Sequence, residues 1–207
     1  MTATTVAEGL RAEILEGRIA PGADLQQAEI ATRFGVSRIP VRDALNLLAA
    51  ERLVDLRPNR TARVISLTPS ELDEVFDLRL LLETDALARA LPRLTEADLA
   101  AIGQEMRRCE VEAGLPSFPA ADWRFHRAIY APSGRAIELA LIRDLRRLCQ
   151  IHLAVYPALR RQADRWSGDH RRLLAALAAR DARAAGAALR DHLTAAAGAL
   201  RAAMAAG

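Results

Sequence analysis

The sequence predicts a mainly α-helical protein, with an N-terminal winged helix-turn-helix followed by an all-α antiparallel bundle of about six helices. Alanine and leucine abound while aromatic residues make up only 4% of the 207 residues, a composition that favours helices. Two short strand-like segments occur around residues 53–65, after three helical segments. From residue 68 onward, prolines and glycines separate long stretches of helical spacing.

The first helical segments precede a tight turn. Residues 10–15 have a helical pattern that ends at Gly17, and Pro21-Gly22 forms a turn. Residues 26–34 suit a short helix with an inward apolar face. Gly35 then supplies a residue that can take a positive φ. We therefore predict that residues 26–34 form the first helix of a helix-turn-helix.

The second helix of the pair begins after Gly35 and has two distinct faces. Ser37 is a favourable N-cap, and Pro40 falls in the first helical turn, where its missing N–H costs nothing. The inward face is apolar and consists of Val41, Leu45 and Leu48. Another face is polar and consists of Arg38, Arg42 and Asn46. Guanidinium and amide groups hydrogen-bond the edges of guanine and adenine in the major groove, so this face predicts DNA recognition.

A basic hairpin follows the second helix. Residues 53–56 and 62–65 are predicted to be strands, with the turn Arg57–Thr61 between them. Between Arg33 and Arg63 the chain carries seven arginines and three acidic residues. This local charge supports the DNA-binding prediction without establishing it. Helices followed by such a hairpin are typical of a winged helix-turn-helix.

Four short sequence stretches follow one another in this region: Ile14-Leu15-Glu16-Gly17-Arg18, Pro21-Gly22, the segment Gly35–Leu45, and Arg57-Pro58-Asn59-Arg60. With them, residues 10–67 resemble the DNA-binding domain of the GntR family of bacterial transcription regulators. The resemblance implies that Arg38 and Arg42 contact DNA, and that Asn59 and Arg60 do so at the tip of the wing. The full set of predicted DNA-binding residues is Arg38, Arg42, Asn46, Ser37, Asn59 and Arg60.

The DNA-binding region departs from the family pattern at three positions. Ala28 stands where the family often has a DNA-contacting arginine, so the family's operator sequence does not simply carry over. Arg52 replaces the glycine that usually ends the recognition helix, and Thr61 replaces the usual glycine of the wing. The last two departures predict altered geometry at the helix end and in the wing, with the fold retained.

A domain boundary is predicted between residues 67 and 68, because Thr68 can cap a helix that starts with Pro69. This divides the chain into a DNA-binding domain, 1–67, and a domain for effector binding and dimerisation, 68–207. The predicted helices of the second domain are 69–91, 95–113, 117–131, 134–156, 158–179 and 181–204.

Histidines in the predicted bundle suggest a metal site. Asp122 and His126 are four residues apart and so lie one above the other on one helix face. His170 and His192 lie on two later helices, and three helices could direct all four side chains to one point. One Asp and three His suit a borderline divalent ion, Zn²⁺ first, with Ni²⁺ or Mn²⁺ as alternatives. The competing interpretations are a surface helix pair and ordinary core histidines, and His152 has no partner in the pattern.

A second resemblance covers residues 69–204. It rests on Phe76-Asp77-Leu78-Arg79-Leu80-Leu81-Leu82-Glu83, Asp122 with Phe125-His126, Asp169-His170 and His192-Leu193. These residues resemble the FCD effector domain, the helical C-terminal half of the FadR branch of the same family. The resemblance implies a metal held by Asp122, His126, His170 and His192, and a carboxylate effector bound by Arg79. For Arg79 the alternative is an ion pair with an acidic residue of the bundle.

These patterns predict a sequence-specific DNA-binding regulator, a homodimer on a palindromic operator. We expect a repressor of a catabolic or transport operon that a small organic or sugar-acid carboxylate relieves. One alternative is a regulator whose metal is structural or is itself the signal. Another is a metal-dependent hydrolase, which the absence of a convincing general base and the presence of the winged domain disfavour.

The location expected for the protein is the bacterial cytoplasm, in association with the nucleoid and without a membrane partner. No apolar run reaches spanning length, and the N-terminus lacks the apolar core of a signal peptide. The chain has only two cysteines, which is typical of a reducing compartment and excludes a disulfide-rich class of protein.

Overall fold

The computed structural model of the chain describes residues 1–58, 61–115, 117–156, 159 and 163–206. It divides into two compact units, each of which gathers two stretches of sequence. The first consists of Met1–Thr68 with Arg147–Val155, and the second of Pro69–Arg146 with Tyr156–Gly207. The boundary predicted between residues 67 and 68 stays a prediction, since residues 147–155 lie in the N-terminal unit, where the sequence did not place them.

The N-terminal unit is a helix-turn-helix with a small sheet. Its elements are α1 (Ala3–Leu15), β1 (Asp24–Gln26), α2 (Gln27–Phe34), α3 (Arg38–Ala50), β2 (Val54–Arg57) and β3 (Thr61–Val64). The predicted hairpin is β2–β3, whose antiparallel register pairs Val54 with Val64. Strand β1 adds to the other edge of β3, with Leu25 opposite Ala62, and was not predicted. The first helix begins earlier than the predicted segment 10–15.

The turn between α2 and α3 depends on Gly35. Its φ is +64°, in the left-handed region, and its N–H bonds to the carbonyl of Thr32. A Cβ at this position would meet no atom within 4 Å, so the constraint on Gly35 is its backbone conformation and not space. The positive φ predicted for Gly35 from the sequence is confirmed.

One apolar core holds α1, α3 and the sheet together. The inward residues predicted for the recognition helix, Val41, Leu45 and Leu48, are all fully buried. Residues from α1 and the hairpin complete the core, including Leu10, Ile14, Val54 and Val64. Ile151, from the stretch Arg147–Val155, is buried in the same cluster.

The second unit is helical, as predicted. Its described helices are α4 (Pro69–Ala90), α5 (Glu96–Glu112), α6 (Phe118–Tyr130), α7 (Ala136–Leu153), α8 (Ala163–Ala178) and α9 (Ala182–Ala206). The last helix turns of α7 belong to the N-terminal unit. The start predicted for the fifth helix, around residues 158–162, lies mostly outside the described residues.

In this unit, helix α6 packs against α4 and α5, while α8 packs against α5 and α9, and α9 packs against α4. Both cysteines, Cys109 and Cys149, are buried. No helix within the described parts of the chain has the length and apolar character needed to cross a membrane.

Candidate functional site

The recognition helix α3 presents the three predicted polar side chains to solvent. Arg38, Arg42 and Asn46 are exposed, and they lie away from the buried apolar stripe of the helix. Arg42 is 61% exposed, and its Nε lies 3.3 Å from the carboxylate of its neighbour Asp43. The arrangement leaves both guanidinium groups on the surface of the helix, where the edges of bases could reach them.

The start of α3 differs in one detail from the sequence prediction. Ser37 is the N-cap residue, in extended conformation, but its side chain makes no capping hydrogen bond. Pro40 lies in the first turn of the helix, as predicted. The exposed hydroxyl of Ser37 therefore does not close the helix terminus, which is compatible with its predicted place among the DNA-binding residues.

The wing is the turn between β2 and β3. Thr61, which stands in place of the usual glycine, donates its hydroxyl hydrogen to the carbonyl of Pro58 at 3.0 Å. This bond closes the base of the turn. Asn59 and Arg60, the predicted contacts at the tip, lie outside the described residues.

The bundle brings the four predicted metal ligands together. Asp122 and His126 come from α6, His170 from α8 and His192 from α9, and one potential ligand atom from each lies within 4.8 Å of the others. Asp122 Oδ1 is 3.6 Å from His126 Nε2 and 3.3 Å from His170 Nε2. The three histidines are almost fully buried, and Asp122 is partly exposed.

Buried nitrogen atoms in this cluster lack hydrogen-bond partners. Among the described residues, they are His126 Nε2, both ring nitrogens of His170, and His192 Nδ1. An unsatisfied buried polar atom costs roughly 1–3 kcal/mol, and such atoms are rare in native structures. A divalent ion would satisfy several of them at once. The residues present therefore fit a metal ion, and their chemistry is that of a nitrogen-rich site with one carboxylate.

Hydrogen bonds fix which nitrogen of His126 faces the cluster. The hydroxyl of Tyr130 donates to Glu83 Oε2 at 2.7 Å, so its oxygen is left to accept from His126 Nδ1 at 3.1 Å. His126 Nδ1 then carries the hydrogen, and Nε2 carries the lone pair. A histidine that binds a metal commonly donates its other N–H in this way.

Burial controls the ionisation of the cluster. Burial, and next the charge of Arg146, lower the pKa of His126 well below its usual range. Burial also lowers the pKa of His192. Burial opposes ionisation of Asp122, but the charge of the Arg146 guanidinium, which donates to it, favours the carboxylate and holds its pKa well below its usual range. His126 and His192 are therefore neutral and Asp122 is charged, as metal binding requires.

Asp169 directly precedes His170 in the sequence, but its side chain contacts His192. Its Oδ2 lies 3.5 Å from His192 Nδ1, and its Oδ1 accepts from Arg172 at 2.6 Å. The contact with His192 and the bond from Arg172 lower the pKa of Asp169 to about 2. This carboxylate is thus charged beside the ring of His192.

Arg79 forms an ion pair with Glu83. An ion pair with an acidic residue of the bundle was the alternative to effector binding in the sequence analysis. Arg79 Nε donates to Glu83 Oε1 at 2.9 Å, one helical turn further along α4, and both side chains are buried. Its guanidinium also lies over the ring of Phe76, 4.8 Å from the centroid. Burial opposes ionisation of Glu83, but Arg146 and Arg79 lower the pKa of this carboxyl to about 2.

Sequence reasoning missed Glu83, Tyr130 and Arg146. Glu83 stands four residues after Arg79, a spacing that predicts an i,i+4 ion pair, and it could have been found. Arg146 could not, because it belongs to α7 and reaches residues 24 and 63 positions away. Nothing in the sequence near Arg146 distinguishes it from the other arginines.

Comparisons with known families agree with this geometry. A family model described as "Bacterial regulatory proteins, gntR family" matches residues 2–64, and a model of the FCD domain matches residues 74–195. The first match contains the recognition helix and the wing. The second contains all four residues of the histidine cluster.

Curated relatives are transcriptional regulators. The chain is 36% identical over 131 residues to the gluconate operon transcriptional repressor of Bacillus licheniformis, a match that covers 62% of this chain and 54% of the relative. It thus spans about half the length of that relative. It is 32% identical over 196 residues to an uncharacterized HTH-type transcriptional regulator in an unstable DNA locus of Streptomyces ambofaciens, covering 90% of this chain and 79% of the relative.

A solved structure extends the likeness over nearly the whole chain. The putative transcriptional regulator GntR from Rhodococcus sp. RHA1 superposes with a TM-score of 0.81 at 25% sequence identity, and 96% of each chain is covered. Both family models and this neighbour agree on the order of the two domains. The chain belongs to the GntR family of bacterial transcription regulators, with a C-terminal FCD domain.

Proposed function

We propose that the protein represses a catabolic or transport operon and releases its operator when a small carboxylate binds in the helical unit. The observation that carries this proposal is the buried cluster of Asp122, His126, His170 and His192 with its unsatisfied nitrogen atoms. A regulator needs a ligand site apart from the helix that contacts DNA, and this cluster lies in the other unit.

The four residues of the cluster would hold one divalent ion, Zn²⁺ first and Ni²⁺ or Mn²⁺ as alternatives. When bound, the ion would supply a Lewis acid that attracts a carboxylate oxygen. Histidine binds a metal as the neutral imidazole, so the chain contributes only one negative charge, from Asp122, to the ligand set. The loaded site is therefore positively charged, which favours an anionic effector.

Arg79 is proposed as the side chain that meets the effector's carboxylate. Glu83 and the ring of Phe76 hold its guanidinium in a fixed orientation, which lowers the entropy lost on binding. An arginine fork suits a planar carboxylate. Because a relative is named a gluconate operon repressor, we propose a sugar acid or a similar hydroxycarboxylate as the effector class.

On the DNA side, we propose that Arg38, Arg42 and Asn46 contact bases and that Ser37 contacts the backbone at the start of α3. Asn59 and Arg60 are proposed contacts of the wing tip. A homodimer would place two recognition helices on a palindromic operator. An effector that binds one arrangement of the dimer better than the other shifts the DNA affinity by that difference.

The test is a fluorescence-anisotropy titration of a duplex that carries the protein's own promoter. Gluconate is the probe, and glucose, which has no charge, is the control. Protein loaded with one equivalent of Zn²⁺ should lose about ten-fold in DNA affinity with gluconate, a coupling of about 1.4 kcal/mol, and should not respond to glucose. The His126→Ala protein should bind DNA normally, contain no metal by elemental analysis, and fail to respond.

Two outcomes would change this proposal. If Zn²⁺ alone alters DNA affinity and organic acids add nothing, then the metal is the signal. A full complement of metal in the His126→Ala/His170→Ala protein would contradict the site itself.

A further inference from the structure

One buried arginine joins the two carboxylates at the centre of the helical unit. Arg146 Nη1 donates to Asp122 Oδ2 at 2.9 Å, while its Nη2 donates to Glu83 Oε2 at 2.5 Å and its Nε lies 3.1 Å from both oxygens of Glu83. The arginine is 8% exposed and Glu83 is fully buried. Burial of this kind makes each bond strong and makes the loss of one partner costly.

The bond from Arg146 distinguishes the two oxygens of Asp122. Oδ2 is held by the arginine, and Oδ1 is the atom that faces His126 and His170. Rotation of the carboxylate would exchange these roles, and the bond to Arg146 opposes that rotation. Asp122 is the least buried member of the cluster, so its orientation is the one that packing fixes least.

A second branch leads from Glu83 to His126. Glu83 accepts from Tyr130, and Tyr130 accepts from His126 Nδ1. The hydrogen bonds therefore form one series from Asp122 through Arg146, Glu83 and Tyr130 to His126. The two residues at its ends lie one turn apart on α6. Glu83 anchors both branches, and Arg79 adds a further bond to it.

We propose that Arg146 and Tyr130 are positioning residues of the metal centre: Arg146 directs Asp122 Oδ1 toward the histidines, and Tyr130 fixes the tautomer of His126. This rests on the proposed metal site. Outer residues that orient ligands typically contribute 10–100-fold, roughly, to metal affinity. Each positioning residue acts through one ligand, which makes the two branches separable by experiment.

The test measures Zn²⁺ affinity by competition with a chromophoric chelator. Arg146→Lys keeps the charge but cannot bridge both carboxylates, so affinity should fall about 10–100-fold. Arg143→Lys is the matched control, since Arg143 lies one turn earlier on α7, is half-exposed, and pairs with its neighbour Asp144. It should bind Zn²⁺ as the wild type does. The visible spectrum of the Co²⁺-loaded protein should change in Arg146→Lys and not in Arg143→Lys.

Double-mutant cycles separate positioning from general stability. In an Asp122→Asn background, Arg146→Lys should lose most of its effect on Zn²⁺ affinity, because the ligand through which it acts is altered. Tyr130→Phe should keep its effect in that background, because it acts through His126 and not through Asp122. An equal effect of Arg146→Lys with and without Asp122 would overturn the proposal, as would wild-type affinity and an unchanged Co²⁺ spectrum in Arg146→Lys.

Folding of the variants is checked by thermal melting of the metal-free proteins. If Arg146→Lys does not fold, the paired variant Glu83→Gln/Arg146→Gln removes one charge of each sign together and should show the same loss of Zn²⁺ affinity. The Asp122→Asn and His126→Ala proteins test the metal site separately. If they retain full Zn²⁺ affinity, the proposed site fails; if they lose it while the Arg146 variants do not, only the positioning role fails.

Discussion

Two arginines on the outward face of α3 are the residues on which DNA recognition is expected to depend. Arg38 and Arg42 are exposed while the opposite face of the helix is buried. If each guanidinium forms a bidentate pair of hydrogen bonds with a guanine, Arg38→Ala and Arg42→Ala should each weaken specific DNA binding by about 1–3 kcal/mol. Anisotropy titrations with the footprinted promoter measure this, and Arg107→Ala, an exposed arginine of α5, is the control. If both variants bind DNA with wild-type affinity, Arg38 and Arg42 are not the residues that recognise it.

Arg52 carries a local strain at the end of the recognition helix. Its φ is +56°, in the left-handed region that disfavours any residue with a Cβ, and the side chain is exposed. The structure thus keeps the usual turn with an arginine in place of the family's glycine.

Arg52→Gly should therefore raise the free energy of unfolding, by up to about 1 kcal/mol after the added entropy of the unfolded chain is subtracted. Urea denaturation followed by circular dichroism measures the change. The matched control is Arg52→Ala, which keeps the Cβ and should gain nothing. A gain of equal size in both variants would show that the backbone is not its source.

At the scale of elements, the end of α7 is anchored in the N-terminal unit by side chains. Arg147 Nη1 donates to the carbonyl of Glu51 at 3.0 Å, just after the recognition helix. His152 Nε2 accepts from the backbone N–H of Leu67 at 2.9 Å, and its Nδ1 lies 2.9 Å from the carbonyl of Leu148. These bonds require the neutral form of His152, with the hydrogen on Nδ1, so the histidine with no role in the sequence analysis has a structural one.

Burial lowers the pKa of His152 below its ordinary value of 6.5. Its contribution to stability is therefore complete above about pH 6.5 and is lost as the pH falls through the lower folded pKa. At pH 7.5, His152→Phe should reduce the free energy of unfolding by about 1–3 kcal/mol, because Leu67 N–H loses its acceptor. The difference between the two proteins in urea denaturation should shrink between pH 7 and pH 5. A difference independent of pH would contradict this account.

At the scale of the whole molecule, two helices of the second unit leave large apolar side chains uncovered. They are Leu78 and Leu81 on α4, and Ile137 and Leu141 on α7. The exposed surface of α4 is acidic at its beginning, with Glu71 and Glu74, and carries Arg89 near its end. Two copies of α4 in antiparallel contact would bury leucines and bring unlike charges together, which suits a two-fold interface.

We therefore expect the bundle to contribute to a homodimer. Leu81→Asp should convert it to a monomer at micromolar concentration, since Leu81 is 68% exposed in one chain and a carboxylate would be buried in the interface. Light scattering measures the mass. Val111→Asp on α5, where the valine is 79% exposed, is the control and should leave the dimer intact. A wild-type protein that is monomeric both free and on DNA would contradict the expectation.

Local features of the chain were predictable because they depend on neighbours in sequence. Gly35 is left-handed as predicted, since the backbone conformation of a tight turn excludes most other residues. The apolar stripe of α3 and the adjacency of Asp122 and His126 follow from helical periodicity alone. Helix ends in the bundle follow proline and glycine breakers and capping residues such as Asp181, which accepts from the N–H of Ala184.

Contacts between distant parts of the chain were decided only by the tertiary structure. Strand β1 has three residues and too little pattern to predict, and it exists because β3, far along the chain, offers a free edge. The sequence by itself determined the helix-turn-helix, and it predicts which residues bind DNA or a metal. Only packing decided that three helices bring those ligands within 4.8 Å, and that Arg146 and Glu83 meet across 63 residues, because burial of charge is a property of the packed core and not of local sequence.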